Sequence, residues 1–252
     1  MSGFSTQELM IIATAREIKD EEIVFVGMRL PITAYGVARM THAPSAVGLF
    51  EGGIARYEPA AETLYTMVDP PNQLNAAWAT SLLDVMGQLP RGKVDAGFIG
   101  GAEIDKYGNI NTSYIGGHED VKVKLPGSGG AADIATMAKR LIAIMNHEKH
   151  RLVDKVSYVT SPGYIDGGDT RHQAGLDQGG PSALITDRAI LRPYGPDNEL
   201  YIASVHPGHS LEEIKENTGW KVKEMPDWTE TLAPTSQEMD ALHHIDKDGF
   251  WR

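Results

Sequence analysis

The chain has 252 residues, of which 41% are hydrophobic, enough to bury the core of one large domain. It contains no cysteine, which excludes disulfides, thiolate catalysis and cysteine-ligated zinc or iron–sulfur sites. The net charge of −11 argues against a nucleic-acid binder, which usually presents a basic surface, although local backbone amides can still hold an anionic small molecule.

No apolar run reaches the length of a membrane span. The first ten residues lack the basic start and the apolar stretch of a signal peptide. We therefore expect a soluble, cytoplasmic protein that contacts neither membrane nor nucleic acid.

The first half of the chain alternates between helical and strand patterns. Ser5 and Glu8 have the spacing of a capping box, and apolar residues follow at helical intervals, which predicts a helix over residues 6–19. The elements predicted next are a strand over 23–26, a helix over 32–40, a strand over 46–50, a helix over 72–86 and a strand over 96–99.

The second half begins with a polar stretch, residues 107–117, that predicts a structured loop. The strongest helical pattern covers residues 133–146. The remaining predictions are a strand over 156–160, a hairpin of strands 183–191 and 199–205 around the turn 193–198, a helix over 211–217 and a last helix starting near Thr235. Strand–helix alternation followed by a hairpin predicts an α/β fold with a mostly parallel sheet and added antiparallel strands. No repeat or linker divides the chain, so we expect a single domain over 1–252.

The segment VGLFEGG at residues 47–53 places one carboxylate, Glu51, between an apolar run and a glycine pair. An apolar run of this kind is typical of a buried strand, and a carboxylate at its end is costly to bury without a purpose. Glycines beside it allow a ligand to approach closely. Glu51 is therefore a candidate nucleophile or general base. The structural alternative is a carboxylate that is solvated or paired with an arginine such as Arg29 or Arg56.

A second glycine-rich segment, GSGGAAD at residues 127–133, directly precedes the predicted helix. Backbone amides at such a position point toward an incoming anion or oxyanion. The segment has neither the Walker A pattern nor the GxGxxG spacing of a dinucleotide site. Tight packing of a loop against a helix start, with Asp133 as a cap, is the structural alternative and stays open.

Other catalytic motifs have little support in the sequence. His206 and His209 in SVHPGHS resemble metal ligands, but no third ligand follows at a suitable spacing. No GxSxG segment occurs, so a serine nucleophile elbow is not supported either. We expect no metal site.

Several segments together resemble the beta (B) subunits of family I CoA-transferases, of the glutaconate CoA-transferase type. The resemblance covers nearly the whole chain. In order, the matching segments are the VG-x-x-LP turn (26–31), FEGG (50–53), IGGAEIDKYGNIN (99–111), GSGGAADIAT (127–136), MNHEKHR (145–151), VTSPGYIDGG (159–168) and ENTGW (216–220).

The resemblance implies an open three-layer α/β/α sandwich that acts only with a separate alpha (A) subunit, as a hetero-oligomer. Glu51 matches the glutamate that the family's beta subunit supplies. Gly129, Gly130 and Ala131 match the loop beside the thioester and are the candidate oxyanion contacts, while Asn109 and the polar loop after it are expected to line the same cleft. The substrates are an acyl-CoA and a carboxylic acid, with a glutaconate-like dicarboxylate expected, and no cofactor is needed besides the coenzyme A thioester.

The expected reaction is a ping-pong exchange through a glutamyl-CoA thioester on Glu51. The sequence departs from the family at Gly52, where relatives often carry serine or asparagine, and at Met28 and Arg29, where small residues are common. Some decarboxylase and sterol ring-opening hydrolase relatives have lost the glutamate. Two alternatives therefore stay open: an acyl-CoA hydrolase or decarboxylase on the same fold, and a non-catalytic metabolite-sensing module.

Overall fold

The computed structural model describes residues 3–252. Its helices are α1 (Thr6–Ala15), α2 (Leu30–Met40), α3 (Pro70–Gln73), α4 (Leu82–Met86), α5 (Ala131–Met137), α6 (Thr170–Gln173), α7 (Leu211–Glu216) and α8 (Ser236–Ile245). Its strands are β1 (Ile23–Val26), β2 (Val47–Phe50), β3 (Ile54–Arg56), β4 (Trp78–Ala79), β5 (Ala96–Ile99), β6 (Glu103–Asp105), β7 (Ile110–Asn111), β8 (Tyr114–Gly116), β9 (Val121–Lys124), β10 (Leu141–Ile144), β11 (Leu152–Val153), β12 (Pro181–Ile185), β13 (Ala189–Tyr194), β14 (Glu199–Val205) and β15 (Glu224–Glu230).

The described residues form two compact units, one of residues 3–98 and 233–252 and one of residues 99–232. The single domain expected from the sequence stays a prediction. Within residues 3–252, none of the helices combines the length and the apolar content that crossing a bilayer requires.

The first unit contains strands in the order β5-β1-β2-β3-β4. β5, β1 and β2 are parallel, whereas β3 and β4 are added antiparallel. Helices α2 and α8 approach each other closely at Gly36, where a β-carbon would come within 2.8 Å of Ile245 Cδ1. Arg16, after α1, binds both carboxylate oxygens of Glu238 in α8 at 2.7 and 2.8 Å. The three helices therefore form one packed layer.

The second unit contains strands in the order β10-β12-β13-β14-β15. β10 and β12 are parallel, β13 is antiparallel to both of its neighbours, β12 and β14, and β15 pairs parallel to β14. A smaller sheet has the order β11-β6-β7, and β8 and β9 form a separate two-stranded ribbon that leads to the glycine loop. Both units thus combine parallel strands with added antiparallel strands, as the sequence predicts.

The elements that depend on local signals are confirmed. Capping boxes begin α1, at Ser5 with Glu8, and α8, at Thr235 with Glu238. β1 has the predicted bounds, and so does β14, the second strand of the predicted hairpin. The first predicted strand, over 183–191, is wrong: it is split into β12 and β13, which pair antiparallel on either side of a turn at residues 186–188, and β13 is the strand that pairs with β14. α1 ends at Ala15, four residues before the predicted end.

The predicted helix over 72–86 is wrong, because α3, β4 and α4 occupy this stretch. Asn75 has a φ of +56°, which a helix cannot include. Three leucines that would lie on the apolar face of such a helix, Leu74, Leu82 and Leu83, are 64%, 49% and 78% exposed.

The predicted helix over 133–146 is also wrong beyond its first turns. α5 ends at Met137, and residues 141–144 form β10, which is buried along its whole length and pairs with β12. A short apolar run that is buried on both faces does not distinguish strand from helix by its pattern. The strand expected over 156–160 is absent, and a single bridge joins Ile110 to Ser161 beside it. The loop expected over 107–117 contains β7 and the start of the ribbon.

Candidate active site

Glu51 stands in the turn that joins β2 to β3, and it is half-buried. The N–H of Gly53 closes the turn by donating to the Phe50 carbonyl at 3.0 Å. Gly53 has a φ of +87°, and a β-carbon on it would overlap the Thr80 carbonyl oxygen, so the position requires glycine. A tight, sterically fixed turn therefore holds the carboxylate at the carboxyl end of β2.

Residues 61–69, here called the strap, cover the glycine next to Glu51. A β-carbon on Gly52 would overlap Cγ1 of Val68. Asp69 shapes this end of the strap, because its carboxylate accepts the N–H groups of Tyr65 and Thr66 at 2.6 and 2.9 Å and the Thr66 hydroxyl at 2.6 Å. Burial alone would raise the pKa of Asp69, but these hydrogen bonds outweigh it and lower the pKa. The strap is thus held by an ionised carboxylate.

The other end of the strap is fastened to the segment after α8. Trp251 donates its indole Nε1–H to the Leu64 carbonyl at 2.8 Å. The rings of Tyr65 and Phe250 meet edge to face with centroids 4.8 Å apart. The C-terminal residues therefore help to fix the segment that packs on the Glu51 turn.

Arg56, one of the two arginines considered as a partner of Glu51, is used elsewhere. It is 3% exposed and donates to the carbonyl oxygens of Glu58, Asn72 and Leu74 at 2.8, 2.7 and 2.8 Å. Burial lowers its pKa. Its guanidinium fastens the chain that follows β3, and it does not neutralise the carboxylate.

The turn after β1 begins beside the turn that carries Glu51, because Val26 and Phe50 are parallel partners at the ends of their strands. Arg29 in this turn has φ 71° and ψ −126°, a combination that belongs to glycine in a type II′ turn. Met28 is 57% exposed, and Arg29 is exposed as well. Within residues 3–252, Arg29 takes part in no ion pair, so the second arginine considered is not bound to Glu51 either.

The glycine loop belongs to the second unit and is anchored at both ends. The Gly127 N–H donates to the Thr112 carbonyl at 2.8 Å. Ser128 accepts the Ala131 N–H on its carbonyl at 3.0 Å and the Ala132 N–H on its Oγ at 3.2 Å. The loop is therefore a fixed turn that leads into α5.

The three predicted contact residues in this loop differ in their backbone amides. The Ala131 N–H is occupied by Ser128, and Gly130 is the buried residue that precedes α5. Gly129 has a φ of +50° and is exposed, and its N–H makes no hydrogen bond within the described residues. Gly129 therefore offers the most accessible donor of the three, and the role of all three at a thioester stays a prediction.

Asn109 is 2% exposed, and protein groups use its amide fully. Its Nδ2 donates to Asp105 Oδ2 at 3.0 Å and to the Ile165 carbonyl at 2.7 Å, while its Oδ1 accepts the Gly163 N–H at 2.8 Å. Burial raises the pKa of Asp105, although the hydrogen bonds from Asn109 oppose the shift. The place of Asn109 in the cleft stays a prediction, and these contacts favour an indirect role that shapes the loop.

A hydroxyl that the sequence does not single out lies beside the glycine loop. Thr112 Oγ1 is buried and has no hydrogen-bond partner within residues 3–252, although the Thr112 carbonyl holds Gly127. Ser161 Oγ, next to the bridge with Ile110, is also buried and unpartnered there. Buried hydroxyls normally find a partner, so these oxygens are available to a water molecule or a ligand. The only sequence signal for Thr112 is its place in the polar loop after Asn109.

Arg171 links α5, which follows the glycine loop, to two other loops of the second unit. It is 4% exposed, and its guanidinium donates to the carbonyl oxygens of Ala135, Gly163 and Gln178, each at 2.8 Å. Burial lowers its pKa. The second unit thus uses the same device as the first, a buried arginine that ties loops together through their carbonyl groups.

The two buried histidines of the second unit are structural. His147 contacts the hydroxyls of Thr186 and Thr218 at 3.0 Å each, and His206 contacts the Thr186 carbonyl at 2.9 Å and the Thr231 hydroxyl at 2.8 Å. Burial lowers the pKa of each histidine to about 4. In the described part of the chain, no group of three histidine or carboxylate side chains is arranged to hold a metal ion.

Comparison with known proteins assigns the chain to a family. Residues 7–217 match the coenzyme A transferase family. The chain is 39% identical over 257 residues to the B subunit of 3-oxoadipate CoA-transferase from Pseudomonas knackmussii, a match that covers 98% of this chain and 95% of that protein. It is 34% identical over 225 residues to the B subunit of glutaconate CoA-transferase from Acidaminococcus fermentans, with 87% and 84% covered.

Solved structures agree with the sequence relatives. The crystal structure of glutaconate coenzyme A-transferase from A. fermentans aligns with a TM-score of 0.91 at 30% identity, over 99% of this chain and 98% of that one. The decarboxylase AibA/AibB aligns with a TM-score of 0.84 at 25% identity, over 98% and 96%. The first match confirms the predicted fold class, an open α/β fold with a mostly parallel sheet and added antiparallel strands. The chain belongs to the coenzyme A transferase family, as a family I B-type subunit.

Proposed function

We propose that this chain, together with an A subunit, transfers CoA between an acyl-CoA and a dicarboxylic acid, and that Glu51 is the nucleophile. The observation that carries the proposal is the placement of Glu51: a half-buried carboxylate in a turn fixed by Gly53 and covered by Val68. A nucleophile held in this way needs little reorganisation when it attacks. We propose a cytoplasmic complex, where acyl-CoA substrates are made and used.

The reaction follows from the chemistry of a carboxylate. One Glu51 oxygen attacks the thioester carbonyl, and the tetrahedral oxyanion collapses by breaking the carbon–sulfur bond, which gives an acyl–glutamyl anhydride and CoA thiolate. The thiolate then attacks the Glu51 carbonyl carbon and expels the first acid as its carboxylate. A second carboxylate reverses both steps and leaves as the new acyl-CoA. Every atom and charge is accounted for without a metal or a redox cofactor.

The glycine loop is the proposed donor to the oxyanions. Gly129, with an N–H that makes no hydrogen bond in the described residues, is the first candidate, and Gly130 and Ala131 follow it. Loss of one such donor commonly costs about 3–4 kcal/mol of transition-state stabilisation. Asn109 is proposed to act by keeping the neighbouring loop in shape.

The class of acid is inferred from two relatives. 3-Oxoadipate and glutaconate, the acids in their names, are both dicarboxylates, and these relatives are 39% and 34% identical to this chain. We therefore propose a medium-length dicarboxylate as one substrate. A labelled acceptor acid separates transfer from hydrolysis, because a hydrolase releases free CoA whether or not the acceptor is present.

The test uses the complex of this chain with its A subunit. Glu51→Gln is expected to abolish exchange and leave assembly intact, whereas Glu58→Gln, which changes an exposed carboxylate of the same unit, is expected to keep full activity. Borohydride added after acyl-CoA should reduce a glutamyl thioester and change the mass of the peptide that contains Glu51. Near-normal turnover of Glu51→Gln, or a mass change on another peptide, would remove Glu51 from the role of nucleophile.

A further inference from the structure

We propose that Arg29 binds the second carboxylate of the dicarboxylic acid and thereby selects diacids over monoacids. The inference rests on the proposed function, because it assigns one contact in the acid site that Glu51 serves. It concerns the first unit alone, in which both residues lie.

The position of Arg29 follows from the parallel pairing of β1 and β2. Val26 and Phe50 are partners at the carboxyl ends of these strands, and neighbouring strands lie about 4.8 Å apart. The turn with Arg29 and the turn with Glu51 therefore begin side by side. Ligands of open α/β sheets bind outside the carboxyl ends of the strands, which is where both turns are found.

The backbone of Arg29 indicates a function beyond closing the turn. Its φ of 71° and ψ of −126° belong to glycine, and this conformation is strained for any residue with a β-carbon. Packing does not explain the choice of arginine, because Arg29 is exposed. Strained backbone of this kind concentrates at ligand-binding sites, where the orientation of one side chain matters.

The charge of Arg29 is not used within the described part of the chain. The first unit has six arginines, and four of them have carboxylate or carbonyl partners: Arg16, Arg39, Arg56 and Arg252. Arg29 has none, and Arg91, the sixth, does not follow a strand that neighbours β2. Arg29 therefore carries a guanidinium without a partner in the described residues, in the turn that follows β1 beside the turn with Glu51.

The chemistry of the substrate requires such a group. A dicarboxylate keeps one charged carboxylate while the other reacts at Glu51, and this chain already carries a net charge of −11. A planar guanidinium binds a carboxylate through two parallel hydrogen bonds, which fixes both the distance and the orientation of the acid. Two-point binding of this kind distinguishes a diacid from a monoacid of equal length, since only the diacid gains the second contact.

The experiment compares acceptor acids of equal length in the complex with the A subunit. Initial rates are measured with adipate and with hexanoate for the wild type, Arg29→Gln and Arg29→Lys, with Arg91→Gln as the matched control on an exposed arginine of the same unit. Loss of a charge-assisted bidentate contact raises the KM for adipate by about tenfold or more in Arg29→Gln, while the KM for hexanoate stays within about twofold. Arg29→Lys keeps the charge and recovers part of the preference, and Arg91→Gln behaves as the wild type.

A further variant separates the side chain from the backbone of the turn. Arg29→Gly accepts the φ of 71° without strain, so its melting temperature is expected at or above that of the wild type, while its preference for adipate is lost as in Arg29→Gln. Equal loss with both acids, or an unchanged ratio between them in Arg29→Gln, overturns the assignment.

Failure of the proposed function gives a different result. If the wild-type complex transfers CoA to none of the acids tested, the transferase proposal fails. Calorimetric titration of the complex with adipate then still tests whether Arg29 binds a carboxylate. Adipate binding that is weakened by about tenfold or more in Arg29→Gln supports the contact, and equal binding by both proteins overturns it.

Discussion

Acidification from pH 7 to pH 5.5 should destabilise the second unit through its two buried histidines. His147 and His206 are 0% and 1% exposed, and burial lowers the pKa of each to about 4. In the unfolded chain each histidine takes up a proton as the pH falls through about 6.5, whereas the folded chain resists until about pH 4. The unfolded state therefore binds more protons in this window, and the free energy of unfolding falls as the pH falls.

The size of the effect follows from the two pKa values. Between pH 7 and pH 5.5, each histidine should remove about 1.2 kcal/mol of stability, and the pair about 2.5 kcal/mol, which is roughly a sixty-fold change in the opening equilibrium. Carboxylates with lowered pKa values lose their stabilising effect at a lower pH, so they contribute little in this window. Below about pH 4 the contribution of the histidines is expected to level off.

Hydrogen exchange followed by mass spectrometry gives the measurement in the intact complex. Protection of peptides from residues 141–147 and 199–206, corrected for the intrinsic pH dependence of exchange, should fall by the predicted factor. His147→Gln should remove about half of the dependence, and His244→Gln, which changes an exposed histidine of the first unit, should leave it unchanged. Protection that is flat across this range in the wild type, or a wild-type slope in His147→Gln, would refute the reasoning.

Three further predictions concern stability and can be measured by denaturation of the variants. Trp251→Phe loses an indole hydrogen bond of 2.8 Å, worth about 1 kcal/mol, whereas Trp220→Phe removes a buried N–H without a partner in the described residues. Trp251→Phe should therefore lower the free energy of unfolding by more than the lost apolar area accounts for, and Trp220→Phe should not; the reverse order would contradict this. Thr112→Val should leave the stability of the ligand-free chain nearly unchanged, because the Thr112 hydroxyl has no partner in the described residues. Thr160→Val should cost about 1–3 kcal/mol, because the Thr160 hydroxyl bonds to the Ser113 hydroxyl at 2.7 Å and to the Thr112 N–H at 3.0 Å. Equal losses in the two variants would show that the Thr112 hydroxyl has a partner. Gly53→Ala should lower the free energy of unfolding by more than about 1 kcal/mol and lower the rate of CoA exchange, because its β-carbon would meet the Thr80 carbonyl at a φ of +87°. Wild-type stability of this variant would show that the turn can relax.

The sequence predicts those parts of the fold that short-range chemistry determines. The capping boxes at Ser5 and Thr235 are complete within four residues, so their helices begin where the pattern places them. The apolar run at residues 141–144 fits a helix as well as a strand, because it is buried on every side in either structure. The choice in favour of a strand comes from pairing with β12, about forty residues away, which no local pattern contains.

The candidate site shows the same limit. The apolar strand and the glycine pair predict the turn with Glu51, and the strand bounds differ by a single residue. The strap over Gly52, the carbonyl partners of Arg56 and the unpartnered oxygen of Thr112 depend on contacts between distant segments. The resemblance to the family predicts Asn109 in the cleft, which stays a prediction, and its contacts with Gly163 and Ile165 join segments more than fifty residues apart that no local pattern contains.

The contact between Gly52 and Val68 makes these two positions interdependent. Any residue larger than glycine at position 52 meets Cγ1 of Val68, so a serine or asparagine version of this turn needs a smaller residue at position 68 or a displaced strap. Chimeric subunits that exchange the carboxylate turn between family members should therefore exchange residues 61–69 with it. In a sequence alignment, the residue that follows the glutamate should covary with the residue sixteen positions further along the chain.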